Sequence, residues 1–142
     1  LIYFDKGGEG HYSERAPLEQ LGVKIVVTGR DRIEKETGKF DFSLTEQDKA
    51  EASRGLAELQ VLFDEEHDLV VLDEVLSGAD LGMVQIDKLI TLLENKPKRT
   101  EIIMTGRNAP EFIKKMAHLV TEMRLHKHYY YSGVKAREGL DF

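Results

Sequence analysis

Two adjacent carboxylates, Asp73 and Glu74, come directly after the apolar run 69–72. A short run of apolar residues predicts a strand buried in a parallel sheet, and ligands bind at the carboxyl ends of such strands. Carboxylates in that position can hold Mg²⁺ against the phosphates of a nucleotide, directly or through water. The alternative interpretation is a pair of solvated charges that ends an ordinary strand.

Polar groups also follow three other predicted strands, and each group contains glycine. If the strands are parallel, all four strand ends meet at one edge of the sheet. Lys6 and Arg107 can then neutralise phosphate charge, and the glycines let the backbone approach a ligand closely. Each segment alone is also typical of a sharp turn. The three segments are Asp5-Lys6-Gly7-Gly8, Thr28-Gly29-Arg30 and Thr105-Gly106-Arg107.

The elements that must position these residues alternate along the chain. Strands are predicted at 1–5, 23–28, 68–73, 101–105 and 118–123, with helical patterns between most of them. This alternation predicts an α/β fold with a mostly parallel sheet. A helix near 44–65 begins with a capping-box pattern at 43–46, and another helix is expected near 85–94. Asn108 is expected to cap a further helix, with Pro110 in its first turn.

The composition fits one globular domain over residues 1–142, with 41% apolar and 32% charged residues. A net charge of −6 disfavours non-specific binding to nucleic acid or to an anionic membrane surface. No apolar run approaches the ~20 residues that span a bilayer. The chain has no cysteine, which excludes disulfides and thiolate metal sites and is compatible with the cytoplasm.

Two other regions contain residues with possible binding roles. The segment 29–42 is rich in charge and is interpreted as a mobile loop over the site. The C-terminal tail, 125–142, contains His126 and His128, which favour surface or packing roles over a zinc site because no further ligands lie nearby in sequence. The tyrosines at 129–131 can stack on a flat ligand or pack against the domain.

Taken together and in order, these segments resemble the ATP:cob(I)alamin adenosyltransferase family, in its P-loop-type branch. The similarity extends over most of the chain, and the order and spacing of its segments make it specific. The matching segments are Phe4-Asp5-Lys6-Gly7-Gly8, Ser13-Glu14-Arg15 with Leu18-Glu19 and Leu21-Gly22-Val23, Val70-Val71-Leu72-Asp73-Glu74, Thr105-Gly106-Arg107-Asn108-Ala109-Pro110, Leu119-Val120-Thr121-Glu122-Met123, Lys127-His128, Gly133-Val134-Lys135-Ala136 and Gly139-Leu140-Asp141-Phe142.

The resemblance implies transfer of the 5′-deoxyadenosyl group of ATP to a reduced corrinoid, in cobalamin synthesis or salvage. It implies Mg²⁺, a homodimer, a possible reductase partner and a cytoplasmic location, with no nucleic acid and no membrane. Glu74 and Asp73 would bind the metal, and no catalytic residue is identified. The nucleotide would be bound by Lys6, Gly7, Asp73, Glu74 and Arg107, and the corrinoid by Thr28, Gly29, Lys127 and His128.

The chain departs from the family pattern in two respects. No G-x-x-x-x-G-K-[ST] segment occurs within these residues, so the expected fold is a three-layer sheet of the P-loop nucleotide-binding type without its first strand, phosphate loop and first helix. The family commonly has aromatic residues after Thr-Gly, including a tryptophan, where this chain has Arg30-Asp31-Arg32 and no tryptophan. The alternative function is therefore a non-catalytic relative or truncated domain that binds a nucleotide, a corrinoid or a protein.

Overall fold

A computed structural model describes residues 1–8, 12–32, 41, 43–135 and 137. Within this part of the chain, four strands form one all-parallel sheet in the order β2-β1-β3-β4. The strands are β1 (Ile2–Tyr3), β2 (Val26–Val27), β3 (Leu69–Asp73) and β4 (Glu101–Met104). The parallel sheet with its helices confirms the predicted α/β class.

The β1 strand lies between β2 and β3, with Ile2 opposite both Val26 and Leu72. Hydrogen bonds continue past the short strand, because the Phe4 N–H donates to the Asp73 carbonyl at 2.9 Å and the Lys6 N–H donates to the Thr28 carbonyl at 3.0 Å. The chain moves outward to β2 and then returns to the other side of β1. The crevice between β1 and β3 is therefore the point where the strand order reverses, which is where open parallel sheets bind ligands.

Five α-helices and one 3₁₀ turn accompany the sheet in the described residues. They are α1 (Arg15–Gln20), α2 (Glu46–Asp64), α3 (Val75–Asp80), α4 (Ile86–Glu94), α5 (Glu111–Met116) and the 3₁₀ turn Tyr129–Ser132. The predicted helices near 44–65 and 85–94 are confirmed as α2 and α4.

The α2 helix begins with a capping box two residues later than its sequence pattern indicates. The Asp48 N–H donates to the Thr45 hydroxyl at 3.3 Å, and the Thr45 N–H donates to the Asp48 carboxylate at 2.7 Å. Ser43 does not cap the helix, because its N–H donates to Asp41 at 2.8 Å and its carbonyl accepts hydrogen bonds from arginine side chains. The box at 43–46 was therefore wrong in register, although the helix itself was predicted.

The core lies mainly between one face of the sheet and the helices α2 and α4. Leu59, Leu72 and Leu89 are fully buried there, and Gly55 of α2 lies against the Phe4 ring. A Cβ at Gly55 would come within 2.8 Å of that ring, so glycine sets the distance between α2 and β1. This packing fixes α2, and with it the Thr45–Asp48 cap, beside the ends of β1 and β2.

Tyr3 occupies the opposite face of the sheet, because successive side chains of a strand alternate between faces. Its hydroxyl donates to Glu14 at 2.9 Å, just before α1. Tyr3 is buried although β1 is short. The segment that leads into α1 therefore covers the face of β1 that α2 leaves open.

Two local predictions near the C-terminal end were wrong. No strand forms at 118–123, since none of the described residues offers this segment a pairing partner, and Leu119 and Met123 are 84% and 96% exposed. Asn108 does not cap α5, whose N-cap is Pro110. Asn108 instead adopts a left-handed backbone (φ 52°), and its side chain donates to Asp80 at 2.8 Å.

None of the helices in the described ranges has both the length and the apolar character needed to cross a membrane.

Candidate functional site

The polar segments that follow the four strands lie at the same edge of the sheet, as the sequence predicts. The closest approach spans the crevice between β1 and β3, where Lys6 Nζ lies 2.6 Å from Asp73 Oδ2. Both side chains keep partial exposure, so the pair is reachable from solvent. The structure thus places Lys6, the lysine predicted to bind phosphate, in contact with Asp73, the first of the two carboxylates predicted to bind the metal.

Hydrogen bonds from neighbouring elements orient Asp73 and Glu74. The Thr105 hydroxyl donates to Asp73 Oδ1 at 2.6 Å and accepts from the Glu74 N–H at 2.9 Å. Glu74 has a left-handed backbone (φ 60°), and its Oε2 accepts from the Ser77 hydroxyl at 2.5 Å. Both Asp73 oxygens are therefore engaged, whereas Glu74 Oε1 has no hydrogen-bonding partner among the described residues.

Ser77 also connects this carboxylate pair with the turn after β4. Its hydroxyl oxygen accepts a hydrogen bond from the Arg107 N–H at 2.9 Å, and the same hydroxyl donates a hydrogen bond to Glu74. A Cβ at Gly106 would lie 2.5 Å from the Ser77 nitrogen, so only glycine allows the turn to come this close. The exposed Arg107 side chain makes no ion pair with the rest of the described chain, which leaves its guanidinium available to an anion.

The turn that carries Lys6 is held from the α1 side by Arg15. The Arg15 guanidinium donates to the Lys6 carbonyl, and to the Gly8 carbonyl at 2.8 Å. Its Cζ lies 4.3 Å from the centre of the Tyr12 ring, and Lys6 Nζ lies 5.6 Å from the same centre. Burial raises the pKa of the Tyr12 hydroxyl, so the ring stays uncharged beside two cations.

The turns after β1 and β2 interlock through their glycines. A Cβ at Gly7 would lie 2.3 Å from the Gly29 carbonyl oxygen, and a Cβ at Gly29 would lie 2.5 Å from the Asp5 Cα. Thr28 is buried, and its hydroxyl donates to the Tyr3 carbonyl at 2.8 Å. Thr28 and Gly29 thus have structural roles within the sheet edge, and their contact with a corrinoid stays a prediction.

Arg30 and Arg32 turn inward, toward the start of α2. Arg30 donates to Asp48 at 3.0 Å and to Asp41 at 2.7 Å, and Arg32 donates to Asp5 at 2.6 Å. Burial opposes the charge on Asp48, but hydrogen bonds within the cap and the arginines outweigh it and lower its pKa. The predicted mobile loop is therefore anchored at its described ends, 29–32 and 41, while 33–40 and 42 lie outside the described residues.

Residues 1–142 match the family described as ATP:corrinoid adenosyltransferase BtuR/CobO/CobP. The chain belongs to this family. A corrinoid adenosyltransferase of a Sinorhizobium species is 38% identical over 135 residues, which cover 94% of this chain and 58% of that protein. The corrinoid adenosyltransferase of Pseudomonas aeruginosa is 36% identical over 94 residues, covering 66% of this chain and 46% of the relative. The corrinoid adenosyltransferase CobA of Salmonella typhimurium is 31% identical over 146 residues, covering 100% and 69%.

The chain spans 58% of the length of the Sinorhizobium adenosyltransferase and 46% of the one from Pseudomonas. Within the matched part, Lys6, Asp73 and Glu74 lie together at the crevice, and Arg107 is tied to them through Ser77. Gly7 lies in the same turn as Lys6. These are the residues that the resemblance to adenosyltransferases assigned to the nucleotide.

The two predicted corrinoid residues of the C-terminal tail, Lys127 and His128, are exposed. His128 Nδ1 accepts from the Tyr130 N–H at 3.1 Å, and the Tyr129 ring lies 4.7 Å from the imidazole. In the described residues, neither side chain has a hydrogen bond or ion pair with the strand-end residues. A metal site at these histidines would need further ligands. The described part of the chain contains no group of three or more His, Cys, Asp or Glu side chains that could hold a metal ion.

Three residues with clear positions at this edge were missed in the sequence. Ser77 lies three residues after Glu74, so one turn of α3 brings its hydroxyl onto the carboxylate, and this spacing could have indicated it. Asp48 combines a helix cap with two arginine partners. No local sequence pattern indicated that Arg15 lies at this edge, because its partners are carbonyl oxygens of a turn that precedes it.

Proposed function

We propose that this protein transfers the 5′-deoxyadenosyl group of ATP to the cobalt of a reduced corrinoid. The observation that carries the proposal is the meeting of Lys6, Asp73 and Glu74 at the strand-order reversal, in a chain of the adenosyltransferase family. A cation, a carboxylate pair and an anion-accessible Arg107 at one sheet edge suit a triphosphate with its metal ion.

The reaction needs little covalent chemistry from the protein. The electron pair of Co(I) attacks C5′ of ATP, a cobalt–carbon bond forms, the C5′–oxygen bond breaks, and triphosphate leaves with the bonding electrons. The protein must align the ribose carbon with cobalt and stabilise the charge of the leaving group. Lys6 and Arg107 are the candidates for that stabilisation, the lysine as a point charge and the arginine as a planar fork.

We propose Glu74, with Asp73 beside it, as the Mg²⁺-binding residue. The donor set fits, since Mg²⁺ is usually held by one or two carboxylates together with substrate phosphates. Glu74 Oε1 has no partner in the part of the chain that the structure describes, whereas Asp73 is engaged by Lys6 at 2.6 Å and by Thr105 at 2.6 Å. When bound, the ion would neutralise triphosphate charge. Lys6 can then exchange Asp73 for a phosphate oxygen through rotation of its long side chain.

The remaining assignments follow from this reaction. We propose that the turn Thr28–Gly29 and the tail residues Lys127 and His128 border the corrinoid, and that residues 1–142 act as one domain. A reductase partner would supply Co(I), and a cytoplasmic location would give access to ATP and reductant. Exposed apolar residues that precede the C-terminal tail, such as Leu119 and Met123, favour a homodimer that covers them.

The proposal is tested by calorimetric titration of the chain with Mg-ATP, followed by anaerobic incubation with Mg-ATP and chemically reduced cobalamin. We expect binding, a spectrum of the adenosylated corrinoid and release of triphosphate. Glu74→Gln should weaken Mg-ATP binding by at least about tenfold, the effect typical of a disturbed metal site. Glu94→Gln is the matched control, because Glu94 ends α4, away from the site.

Each outcome separates the candidate functions. Binding without transfer supports the alternative of a non-catalytic relative. No heat with millimolar Mg-ATP contradicts a nucleotide site in this chain. Equal affinities of wild type and Glu74→Gln contradict the metal role assigned to Glu74, even if transfer is observed.

A further inference from the structure

Arg32 is the most extensively bonded side chain at the site edge, and it is only 6% exposed. Its Nε lies 2.6 Å from Asp5 Oδ1 and 2.8 Å from Asp5 Oδ2. One of its terminal nitrogens lies 3.1 Å from Asp48 Oδ1, at the start of α2. The guanidinium thus joins the turn after β1 to the capping box of α2.

The other terminal nitrogen of Arg32 donates to two carbonyls, of Asp41 at 3.0 Å and of Ser43 at 2.8 Å. The nitrogen near Asp48 also donates to the Met83 sulfur at 3.4 Å. The whole planar fork is therefore satisfied by fixed acceptors. Lysine has the same charge but only one nitrogen, and it cannot reproduce this geometry.

The connection to Asp5 matters because Asp5 immediately precedes Lys6. Asp5 has a left-handed backbone (φ 59°), which is a strained conformation for a residue other than glycine. Burial raises the pKa of Asp5, and the hydrogen bond from Arg32 opposes that rise. Within the described residues, Arg32 hydrogen-bonds the Asp5 carboxylate, whereas Arg30 acts on it only through its charge.

We infer that Arg32 is a positioning residue for Lys6: it holds the Asp5 carboxylate and the strained turn, so that the lysine ammonium projects toward Asp73 and the proposed phosphate site. This inference rests on the proposed function for the identity of the phosphate ligand. The positioning itself concerns only residues within this chain. Arg30 shares the Asp48 partner but does not contact Asp5, so the two arginines can be separated experimentally.

The test compares Arg32→Lys with the matched control Arg30→Lys, first by amide hydrogen exchange. In Arg32→Lys we expect the Lys6 amide, which donates to Thr28, to exchange about tenfold faster, because one charged hydrogen bond on the turn is lost. The Thr105 amide, which donates to Leu72, should not change. Arg30→Lys should alter the Lys6 amide by less than about twofold.

The second measurement is calorimetric titration with inorganic tripolyphosphate, which carries the phosphates without the nucleoside. Affinity should fall about tenfold in Arg32→Lys and by less than about twofold in Arg30→Lys. Asp5→Asn weakens the same Arg32–Asp5 contact by changing the carboxylate. Asparagine tolerates the left-handed backbone at this position, so the variant should reproduce the Arg32→Lys result.

The inference is overturned if all amides of Arg32→Lys exchange faster by the same factor, since Arg32 would then affect only global stability. It is equally overturned if Arg30→Lys matches Arg32→Lys at the Lys6 amide. If the wild-type chain does not bind tripolyphosphate, the proposed phosphate site fails. The exchange comparison still decides the positioning role in that case.

Discussion

Gly29 provides a sharp test of the interlocked turns at the site edge. Its backbone is left-handed (φ 98°), and a Cβ there would lie 2.5 Å from the Asp5 Cα and 2.9 Å from the Lys6 nitrogen. These neighbours are backbone atoms, so they cannot move aside as the end of a flexible side chain can. Gly29→Ala should therefore destabilise the fold through both backbone strain and steric overlap.

The two contributions can be separated with Gly22→Ala. Gly22 is also left-handed (φ 84°), but among the described residues no atom beyond its two chain neighbours lies within 4 Å of a Cβ built there. A left-handed alanine costs ~1–2 kcal/mol, and steric overlap adds nothing to this cost at Gly22. Overlap in a packed site adds ~1–3 kcal/mol, so Gly29→Ala should cost about 2–5 kcal/mol. Loss of glycine's unfolded-state freedom affects both variants alike.

Urea denaturation of both variants, with the midpoint and the slope fitted independently, measures the two free energies of unfolding. The reasoning is refuted if Gly29→Ala costs no more than Gly22→Ala. In that case the turns after β1 and β2 do not interlock, and the glycine would have to be explained by a ligand.

Two further predictions concern single side chains at the same edge. Asp48→Asn should lower stability at neutral pH by ~3 kcal/mol, because two buried arginine contacts lose their carboxylate. The native pKa of Asp48 lies below the ordinary value of 3.8, so this stabilisation is present above pH 3.8 and is lost as the pH falls through the native value. The difference in free energy of unfolding between wild type and variant, measured by urea denaturation, should thus decrease from pH 5 to about pH 2. A difference that stays constant over this range would contradict the ion-pair role. Ser77→Ala should cost ~1–3 kcal/mol and accelerate exchange of the Arg107 amide. Ser53→Ala on α2 is the control, and equal effects of the two changes would contradict the linking role of Ser77.

The convergence of the four strand ends could be predicted from the sequence because it depends on local patterns. Apolar runs such as 69–72 define the strands, and a parallel sheet brings their carboxyl ends to one edge whatever the strand order is. The strand order was not predictable in the same way. It depends on which neighbour buries Ile2 and Phe4, and this is a property of the packed core.

The errors have similar physical causes. The segment 118–123 has strand-like residues, but a strand requires a hydrogen-bonding partner that composition cannot supply. Asn108 favours helix caps in general, and here Asp80 offers its amide a better partner. The inward direction of Arg30 and Arg32 depends on Asp5 and Asp48, which lie close only after folding. From the sequence alone, both arginines would be predicted to lie exposed after a strand.

The position of β1 in the middle of the sheet has a consequence for biosynthesis. β1 is synthesised well before its partner β3, which follows only after α2, so the pairing of Ile2 with Leu72 has to wait for β3. Until that pairing forms, the apolar β1 segment lacks the hydrogen bonds that β3 provides, and pairing over such a distance along the chain is slow. The nascent chain is therefore exposed to capture by chaperones or by other nascent chains until β3 emerges. The rate of translation through α2 would then influence how much of this protein reaches its folded state.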